Sequence, residues 1–244
     1  MVEENVFLKK PRPVCDVSNP CNGVYRLESL GKGVVAGFHS RLFDNSKRVD
    51  FLNELGLFPD NLVMVKQVHG STIVVAERPD TELLETPADG LITKTPGLVL
   101  GIRTADCVPV FFWDPVQRVA GIAHGGWKGV KDGIIAQMLK IFEKKCGAKM
   151  GDLRVAIGPS IRKCCYEVGK EFLGYFPGFY HGKDAARGNL DLVGVIKSRL
   201  LKRGIPEGHV HDTGLCTVCE NKKFFSYRVE NQTPERILSV ISIV

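Results

Sequence analysis

The sequence has no apolar run long enough to cross a membrane. Its longest apolar stretch of note, Val108–Trp113, holds six residues, whereas a transmembrane helix needs roughly 20. It also has no internal repeat and no low-complexity linker, and the opening MVEENVFLKKPRP lacks the apolar segment of a secretory signal. We therefore expect a cytoplasmic protein without membrane contact that folds as a single domain over residues 1–244.

Histidine is also scarce, and its scarcity argues against one class of metal enzyme. The chain has six histidines in 244 residues, whereas a multicopper centre needs many of them in paired motifs. Three of the six, His181, His209 and His211, fall in segments that we predict to be loops. The histidine count therefore argues against a copper-dependent polyphenol oxidase. Copper could still enter a site of histidine and cysteine, because it binds such ligands more tightly than zinc does.

The excess of basic residues is small and dispersed. Lys and Arg number 33 against 27 Asp and Glu, which gives a formal net charge of +6, and 44% of the residues are hydrophobic. That apolar content is enough for a sizeable core. The dispersed charge suits an anionic small molecule and does not indicate a nucleic-acid partner.

Short apolar and β-branched runs between turn residues predict a strand-rich chain. The predicted strands are Gly33–Phe38, Leu62–Val68, Thr72–Ala76, Leu98–Ile102, Val108–Trp113, Arg118–Ala123, Leu153–Ile157 and Phe224–Tyr227. Apolar residues at helical spacing predict helices over Val130–Phe142 and Asp191–Arg203, and weaker ones over Ser46–Leu55 and Glu167–Phe176. Residues 177–189 are predicted to be a polar loop. Because strands outnumber helices and do not alternate with them, an α+β fold is favoured over a doubly wound parallel sheet.

Three segments place a metal-competent side chain where an apolar run meets a turn. The segments and their candidate ligands are KQVHG (66–70, His69), TADCVP (104–109, Cys107) and AHGGWKG (123–129, His124). The end of a strand exposes a side chain while the sheet holds it rigid. Two imidazoles and one thiolate would leave zinc an open fourth position, as in catalytic sites. Spacing alone equally permits three unrelated core or loop residues, because no compact motif joins them.

Two of these segments allow a second interpretation. Cys107 could act as the nucleophile of a cysteine hydrolase with a histidine as its base. Only the metal content would separate this hydrolase from a zinc enzyme, since both need a deprotonated thiol. The glycine-rich turn at 124–129 precedes a predicted helix, so its N–H groups and Lys128 could hold an anion, although a plain tight turn fits equally well.

The remaining cysteines are placed irregularly. The chain has eight cysteines in 244 residues, with spacings that do not form the dense framework of a small secreted protein. Cys216 and Cys219 form one C-x-x-C pair, and a four-cysteine zinc site would need a second pair. Cys164 and Cys165 are adjacent, and we expect that they could hardly both bind one ion. Packing is therefore the favoured role of the C-x-x-C pair, ahead of a redox pair or an accessory metal site.

Four arginines lie close enough to the motifs to be candidate anion ligands. They are Arg41, Arg48, Arg103 and Arg228. A guanidinium group matches the geometry of phosphate and is the favoured partner for such a co-substrate. Any single arginine, however, is more often a solvated surface charge.

Several motifs together resemble one known family. They are KQVHG (66–70), ADG (88–90), TADCVP (104–109), AHGGWKG (123–129), IGP (157–159) and CTVC followed by FFSYR (216–228). In order and spacing they are similar to the laccase-like multicopper polyphenol oxidases, now described as purine nucleoside phosphorylases, over about residues 33–236. The resemblance implies a four-layer α/β/β/α sandwich and a zinc site made by His69, Cys107 and His124. It also implies phosphorolysis of adenosine, inosine, guanosine and methylthioadenosine by inorganic phosphate, and deamination of adenosine, in that site.

The resemblance also suggests roles for individual residues. The expected catalytic residues are Cys107, Asp106 and Arg48, and the expected substrate-binding residues are Arg41, Gln67 and Lys128. In deamination a carboxylate is needed to move a proton, and Asp106 or Asp89 is the candidate, although either could equally be a turn former. Phosphate is expected at Arg48, with Lys128 or Arg41 assisting.

The chain departs from the family's usual pattern at several positions. Gly125 and Lys128 stand where AHAGWRG is usual, so the positive charge is kept without the planar guanidinium. Ser160 follows IGP where cysteine is common. The segment between Arg41 and Arg48 is shorter than in many relatives, and Arg48 matches the family's arginine better by its distance from the HG motif.

Overall fold

The computed structural model describes residues 22–244, which form a strand-rich fold. The strands are β1 (Val24–Arg26), β2 (Val34–His39), β3 (Leu62–Val63), β4 (Ile73–Val75), β5 (Gly90–Thr93), β6 (Val99–Thr104), β7 (Val108–Asp114), β8 (Val119–Gly125), β9 (Arg154–Ile157), β10 (Glu167–Gly169), β11 (Tyr180–Gly182), β12 (Arg187–Leu190), β13 (Val210–Asp212) and β14 (Ile237–Ile243). The α-helices are α1 (Arg48–Leu55), α2 (Trp127–Lys131), α3 (Ile134–Cys146), α4 (Phe172–Tyr175) and α5 (Leu192–Lys202). None of the helices between residues 22 and 244 has the length and apolar character of a membrane span. The segment considered for a signal sequence, and Cys15 and Cys21, lie outside the described residues.

Two large mixed sheets occupy the centre of the fold. The first sheet has the strand order β1-β2-β14-β6-β3, and the second sheet has the order β13-β9-β7-β8-β5-β4. A small third sheet has the order β10-β12-β11. The pairs β3–β6, β4–β5 and β9–β13 are parallel, and the other pairs within the two large sheets are antiparallel. Strand β14, which the sequence pattern did not predict, lies between β2 and β6 and pairs with both.

The side chains of β7 show how the layers stack. Val108, Val110 and Phe112 pack with the apolar residues of α3 and α5, whereas Phe111 and Trp113 pack with the first sheet. Successive residues of a strand point to opposite faces of its sheet. Because all five side chains are buried, both faces of the second sheet are covered.

A third apolar cluster covers the outer face of the first sheet. Phe51, Leu52 and Leu55 of α1 pack with Leu238 and Val240 of β14. The layers therefore run from α1 through the first and second sheets to α3 and α5. This arrangement confirms the α+β class and the four-layer α/β/β/α sandwich, while a single domain over the whole chain stays a prediction.

Five predicted elements differ in the structure, and the first four involve strands, a short helix and a loop. Residues 224–227 are irregular rather than a strand, and the aromatic content that suggested the strand serves the core, where Phe224 is fully buried. The strand predicted over residues 62–68 ends at Val63. Residues 167–176 contain β10 and α4 instead of one helix, because β10 pairs with β12. The predicted loop at 177–189 contains β11 and most of β12.

The helix predicted from Val130 is split in two. Helix α2 ends at Lys131, and α3 begins at Ile134 after Gly133, whose φ is 94°. A residue in this left-handed conformation cannot continue a helix, and glycine adopts it at little cost. The break leaves the short α2 directly after the AHGGWKG motif.

Candidate functional site

The candidate metal ligands lie at or near the ends of strands that belong to the two large sheets. His69 follows β3 in the loop toward β4, Cys107 lies in the turn between β6 and β7, and His124 is on β8. Strands β7 and β8 are paired, so the start of β7 lies beside the end of β8. As a result, one nitrogen of each histidine and the Cys107 sulfur lie within 4.8 Å of one another. The rings of His69 and His124 meet edge to face, with 4.8 Å between their centroids.

Two residues of the site have backbone conformations that residues other than glycine rarely adopt. His69 has a φ of 60° and Asp106 has a φ of 85°, both in the left-handed region that favours glycine. Such a conformation costs about 1–3 kcal/mol and persists only where surrounding contacts hold it. Strain of this kind clusters at functional sites, and here it occurs at a candidate ligand and next to another.

Asp89 is the residue that holds the histidines in place. Its carboxylate is fully buried; Oδ1 accepts hydrogen bonds from His124 Nδ1 (2.7 Å) and the His69 N–H (2.9 Å), and Oδ2 accepts from the N–H groups of Gly70 (2.7 Å) and Val68 (3.2 Å). Burial alone would raise the pKa of Asp89, but the hydrogen bonds from His124 and the loop backbone outweigh it and hold the pKa below its ordinary value. The bond to Nδ1 leaves Nε2 of His124 for the cluster.

The site strongly perturbs the acidity of Cys107 and His124. Burial would raise the pKa of the Cys107 thiol, but the charge of His124 and the hydrogen bonds from both histidines lower it to about 6. Burial would lower the pKa of His124, but Cys107 and Asp89 raise it to about 9. Near pH 7 the metal-free site therefore holds a thiolate beside an imidazolium, and a thiolate is the form that binds a metal or attacks a substrate.

Two glycines of the AHGGWKG motif are needed at this site for steric reasons. A Cβ on Gly126 would lie 3.0 Å from His69 Cδ2 and 3.4 Å from the Cys107 sulfur. A Cβ on Gly129 would overlap the Gly70 carbonyl oxygen. Helix α2 therefore packs directly on the loop that carries His69, and this close approach requires a residue without a side chain.

Replacing Gly129 with alanine is expected to displace the His69 loop and weaken metal binding. A backbone overlap of this kind cannot be relieved by a flexible side chain, so we expect a loss of about 1–3 kcal/mol in stability. Thermal unfolding and bound metal after dialysis measure the two effects. Gly174→Ala is the matched control, because Gly174 is also helical but has open space at its Cβ position. Equal metal retention by the two variants would contradict the steric argument.

The ligand cluster opens into a cleft of about 620 Å³. The wall of the cleft consists largely of cationic side chains, aromatic side chains and the three candidate metal ligands. The lining residues are Gln67, His69, Arg103, Thr104, Ala105, Asp106, Cys107, His124, Trp127, Ile161, Tyr166, Leu192, Tyr227, Arg228, Pro234 and Arg236. A cleft of this volume is within the usual range for a small-molecule site.

Asp106 connects two walls of the cleft. Its Oδ1 accepts a hydrogen bond from the Thr217 hydroxyl (2.6 Å), and its Oδ2 accepts one from the Arg228 N–H (2.7 Å). The carbonyl oxygen of Asp106 accepts from the Ile161 N–H (2.9 Å). Asp106 Oδ1 thus holds the CTVC motif and Oδ2 holds the end of the FFSYR segment at the cleft, a positioning role that the sequence pattern did not indicate. The expected role of Asp106 in proton transfer stays a prediction.

Three arginines line the cleft, and one of them was not among the sequence candidates. Arg103 and Arg228 were considered there, and the guanidinium of Arg228 lies 5.5 Å above the Tyr166 ring. Arg236 is the addition, and its guanidinium lies 5.8 Å from the ring of Tyr227. Because Arg236 immediately precedes the unpredicted strand β14, no local pattern indicated that it lies at the cleft.

The other cationic candidates lie outside the cleft lining. Arg48 is the exposed first residue of α1, on the far side of the first sheet. Arg41 forms an ion pair with Glu230 (2.5 Å) and stacks on Phe225. Lys128 is exposed, with its ammonium 5.7 Å from the Trp127 ring. The structure therefore does not bring these three side chains together, and their binding roles stay predictions.

Gln67 lines the cleft but also has structural partners. Its Nε2 donates to the Arg103 carbonyl oxygen (2.9 Å), and the Arg103 N–H donates to its Oε1 (2.8 Å). The side-chain amide thus imitates a strand neighbour of β6 and fixes the loop before His69. A direct contact of Gln67 with substrate stays a prediction.

Among the six histidines, only His69 and His124 share a candidate metal site in residues 22–244. His39 is buried, and its Nε2 accepts a hydrogen bond from the Leu238 N–H (3.0 Å). Burial lowers the pKa of His39 to about 4, so it is neutral and structural at pH 7. The described part of the chain therefore shows no cluster with the number of histidines that a multicopper centre needs.

Comparison with known proteins agrees with the motifs. Residues 40–244 match the family described as multi-copper polyphenol oxidoreductase laccase. The chain is 31% identical over 232 residues to purine nucleoside phosphorylase YlmD of Geobacillus stearothermophilus, covering 86% of this chain and 85% of that protein. It is 29% identical over 198 residues to adenosine deaminase RL5 of an unknown prokaryotic organism, covering 74% of each.

A solved structure extends the agreement to the fold. The hypothetical protein YfiH of Bacillus licheniformis superimposes with a TM-score of 0.86 at 28% identity, covering 92% of this chain and 97% of that one. The family match spans most of the present chain and includes every candidate ligand of the cleft. The chain therefore belongs to the multi-copper polyphenol oxidoreductase laccase family.

Proposed function

We propose that this protein is a zinc-dependent purine nucleoside phosphorylase that also deaminates adenosine and cleaves methylthioadenosine. The observation that carries the proposal is the juxtaposition of His69, Cys107 and His124 in a cleft that also presents arginines and aromatic rings. The names of the relatives YlmD and RL5 support the two activities separately.

The donor set fits zinc in a catalytic rather than a structural role. Two imidazole nitrogens and one thiolate leave a fourth position open, and the carboxylate of Asp89 on His124 is the usual support of a metal-bound histidine. Copper could occupy the same ligands. When bound, zinc supplies Lewis acidity and lowers the pKa of a water ligand toward about 7.

The cleft residues can bind a purine nucleoside and phosphate together. Trp127, Tyr166 and Tyr227 offer aromatic faces for a base. Burial raises the pKa of Tyr166, so its hydroxyl stays a hydrogen-bond donor at neutral pH. Arg103 and Arg228 offer guanidinium groups for phosphate and for the negative charge that develops as the base leaves.

Arg103→Met is expected to raise the KM for phosphate by about 10–100-fold, which corresponds to the 1.5–3 kcal/mol of a charge-assisted hydrogen bond. Its side chain is exposed in the cleft, and no ion pair to it occurs among residues 22–244. Steady-state phosphorolysis of inosine at varied phosphate measures the effect. Arg48→Met serves as the comparison: a larger effect there would favour the assignment made from the family pattern over the one from the cleft.

The proposed activity is tested directly on the unmodified chain. Protein purified without metal-chelate chromatography is analysed for zinc and copper and incubated with inosine or adenosine, with and without phosphate. Phosphate-dependent release of the base by protein that holds at least about one zinc per chain is the expected result. Metal-replete protein that leaves every nucleoside intact would contradict the proposal.

One geometric observation favours a second candidate. Asp89, His124 and Cys107 are connected in the order of an acid, a base and a nucleophile, and the Cys107 pKa is lowered to about 6. This arrangement fits a cysteine hydrolase. Activity that survives complete removal of metal by a chelator would support the hydrolase, whereas activity restored only by added zinc supports the phosphorylase.

A further inference from the structure

A second group of cysteines lies outside the lining of the cleft and has no role in the proposed activity. Cys164 and Cys165 lie in a turn between β9 and β10, and Cys216 and Cys219 lie in a turn between β13 and β14. Their four sulfur atoms lie within 4.8 Å of one another, and all four thiols are free. The sulfur–sulfur distances are 3.4 Å for Cys165 and Cys219, 3.6 Å for Cys164 and Cys219, and 3.7 Å for Cys164 and Cys216.

We propose that these four cysteines bind a structural zinc ion as a tetrathiolate site that supports one wall of the cleft. Zinc–sulfur bonds of about 2.3 Å in a tetrahedron place the sulfurs about 3.8 Å apart. The three sulfur–sulfur distances in the structure are close to that value. A disulfide needs about 2.05 Å, so the thiols are spaced for an ion between them rather than for a bond.

Adjacent cysteines can reach the same ion here because they lie in a turn. The N–H groups of Cys165 and Tyr166 both donate to the Arg162 carbonyl oxygen at 2.8 Å. In a strand, neighbouring side chains would point to opposite faces, which is the basis of the expectation that the pair could hardly bind one ion. On the other side, the C-x-x-C spacing is typical of zinc sites, and the Glu220 N–H donates to the Cys216 carbonyl oxygen (2.9 Å) to close the turn.

The two turns are docked by contacts that do not involve the thiols. The Arg162 guanidinium donates to the carbonyl oxygens of Leu215 (3.0 Å) and Gly158 (3.0 Å) and forms an ion pair with Asp212 (2.6 Å). The Ser160 N–H donates to the Leu215 carbonyl oxygen (3.3 Å). The two turns are therefore joined by hydrogen bonds and an ion pair of residues other than the four cysteines.

The chemistry of the four thiols favours a thiophilic divalent cation. Backbone N–H groups of Cys219, Arg162 and Val218 donate to the Cys216 sulfur, and N–H groups of this kind stabilise a metal-bound thiolate. Binding of the ion displaces the thiol protons. Zinc is favoured over ferrous iron because it binds such ligands more tightly.

The site lies next to residues that form the cleft. Thr217, between the two cysteines of the C-x-x-C pair, donates to Asp106, and Tyr166, directly after Cys165, lines the cleft. An ion at the four cysteines would therefore fix the positions of both. This role is independent of the activity proposed above.

The test counts metal in a chain whose cleft ligand has been removed. Wild-type protein is expected to hold about two zinc ions per chain and His69→Ala about one. Adding Cys164→Ser and Cys219→Ser, both at exposed thiols, should remove that remaining zinc, whereas adding Cys146→Ala, at a buried thiol outside both clusters, should not. Elemental analysis after dialysis gives zinc and iron together.

Cobalt substitution provides a readout that does not depend on the folding of any cysteine variant. His69→Ala protein loaded with Co²⁺ should show the intense thiolate-to-metal and tetrahedral d–d bands of a four-sulfur site, and four cysteines should be protected from alkylation. His69→Ala protein without bound zinc, with iron in its place, or with a mass that reveals a disulfide would overturn the proposal. Failure of the phosphorolysis assay alone would not affect it.

Discussion

Replacing Cys107 with serine is expected to remove the metal from the cleft and to lower the rate of phosphorolysis by at least about 10³-fold. A hydroxyl is a poor substitute for a thiolate whose pKa has been lowered to about 6, because serine does not ionise near neutral pH. Loss of a Lewis acid removes several kcal/mol of transition-state stabilisation, and each 1.36 kcal/mol is a tenfold change in rate. Zinc content and kcat/KM measured on the same sample test both parts.

Cys146→Ser is the matched control for this variant, since Cys146 is a buried thiol that belongs to neither cysteine-containing cluster. It should retain metal and activity apart from any loss of stability. The result also separates the two candidate functions. A cysteine hydrolase would lose activity in Cys107→Ser while its metal content stayed unchanged, whereas the phosphorylase loses both together.

Asp89→Asn is expected to have the second largest effect. The carboxylate accepts hydrogen bonds from His124 and from three backbone N–H groups, and an amide would turn an NH₂ group toward one pair of donors. We expect a loss of about 10–100-fold in zinc affinity, as for other supports of metal-bound histidines, and about 3 kcal/mol in stability from the lost charge-assisted bonds. Competition with a chromophoric chelator and denaturant unfolding measure these losses.

Asp114→Asn is the matched control, because Asp114 lies at the end of β7 that is far from Cys107 and the cleft. Asp114 is also fully buried, and its Oδ1 accepts from the N–H groups of Val116 and Gln117. It should lower stability but leave zinc affinity unchanged. If both variants bound zinc equally well, Asp89 would be only a structural residue of the loop.

The parts of the fold that followed from the sequence are those with strong local patterns. Val108–Trp113 reads as a buried strand because its residues are apolar on both faces, and both faces are covered in the structure. The strands that the sequence did not predict depend on partner strands that are far away along the chain. Residues 237–243 form a strand because β2 and β6 lie on either side of them, and Glu167–Gly169 is a strand because of β12.

The same distinction applies to the site. His69, Cys107 and His124 could be selected from the sequence because each ends or begins an apolar run before a turn. The role of Asp89 as support for two histidines could not be derived, since it depends on hydrogen bonds to a loop about 20 residues earlier and to a strand about 35 residues later. The four-cysteine cluster was missed because the turn at Cys164 and Cys165 reverses the geometry that adjacent residues have in a strand.

The central position of β14 has a consequence for how the protein is made. Phe38 of β2 pairs with Ser239, and Arg103 of β6 pairs with Leu238, so the first sheet has a gap at its middle until residues 237–243 are synthesised. Until then, the apolar side chains of β2 and β6 in the nascent chain lack their partner strand and are exposed to association with other chains. Pairing across so large a sequence separation is slow and exposes strand edges. We therefore expect the newly made chain to depend on chaperones, and its refolding from denaturant to compete with aggregation.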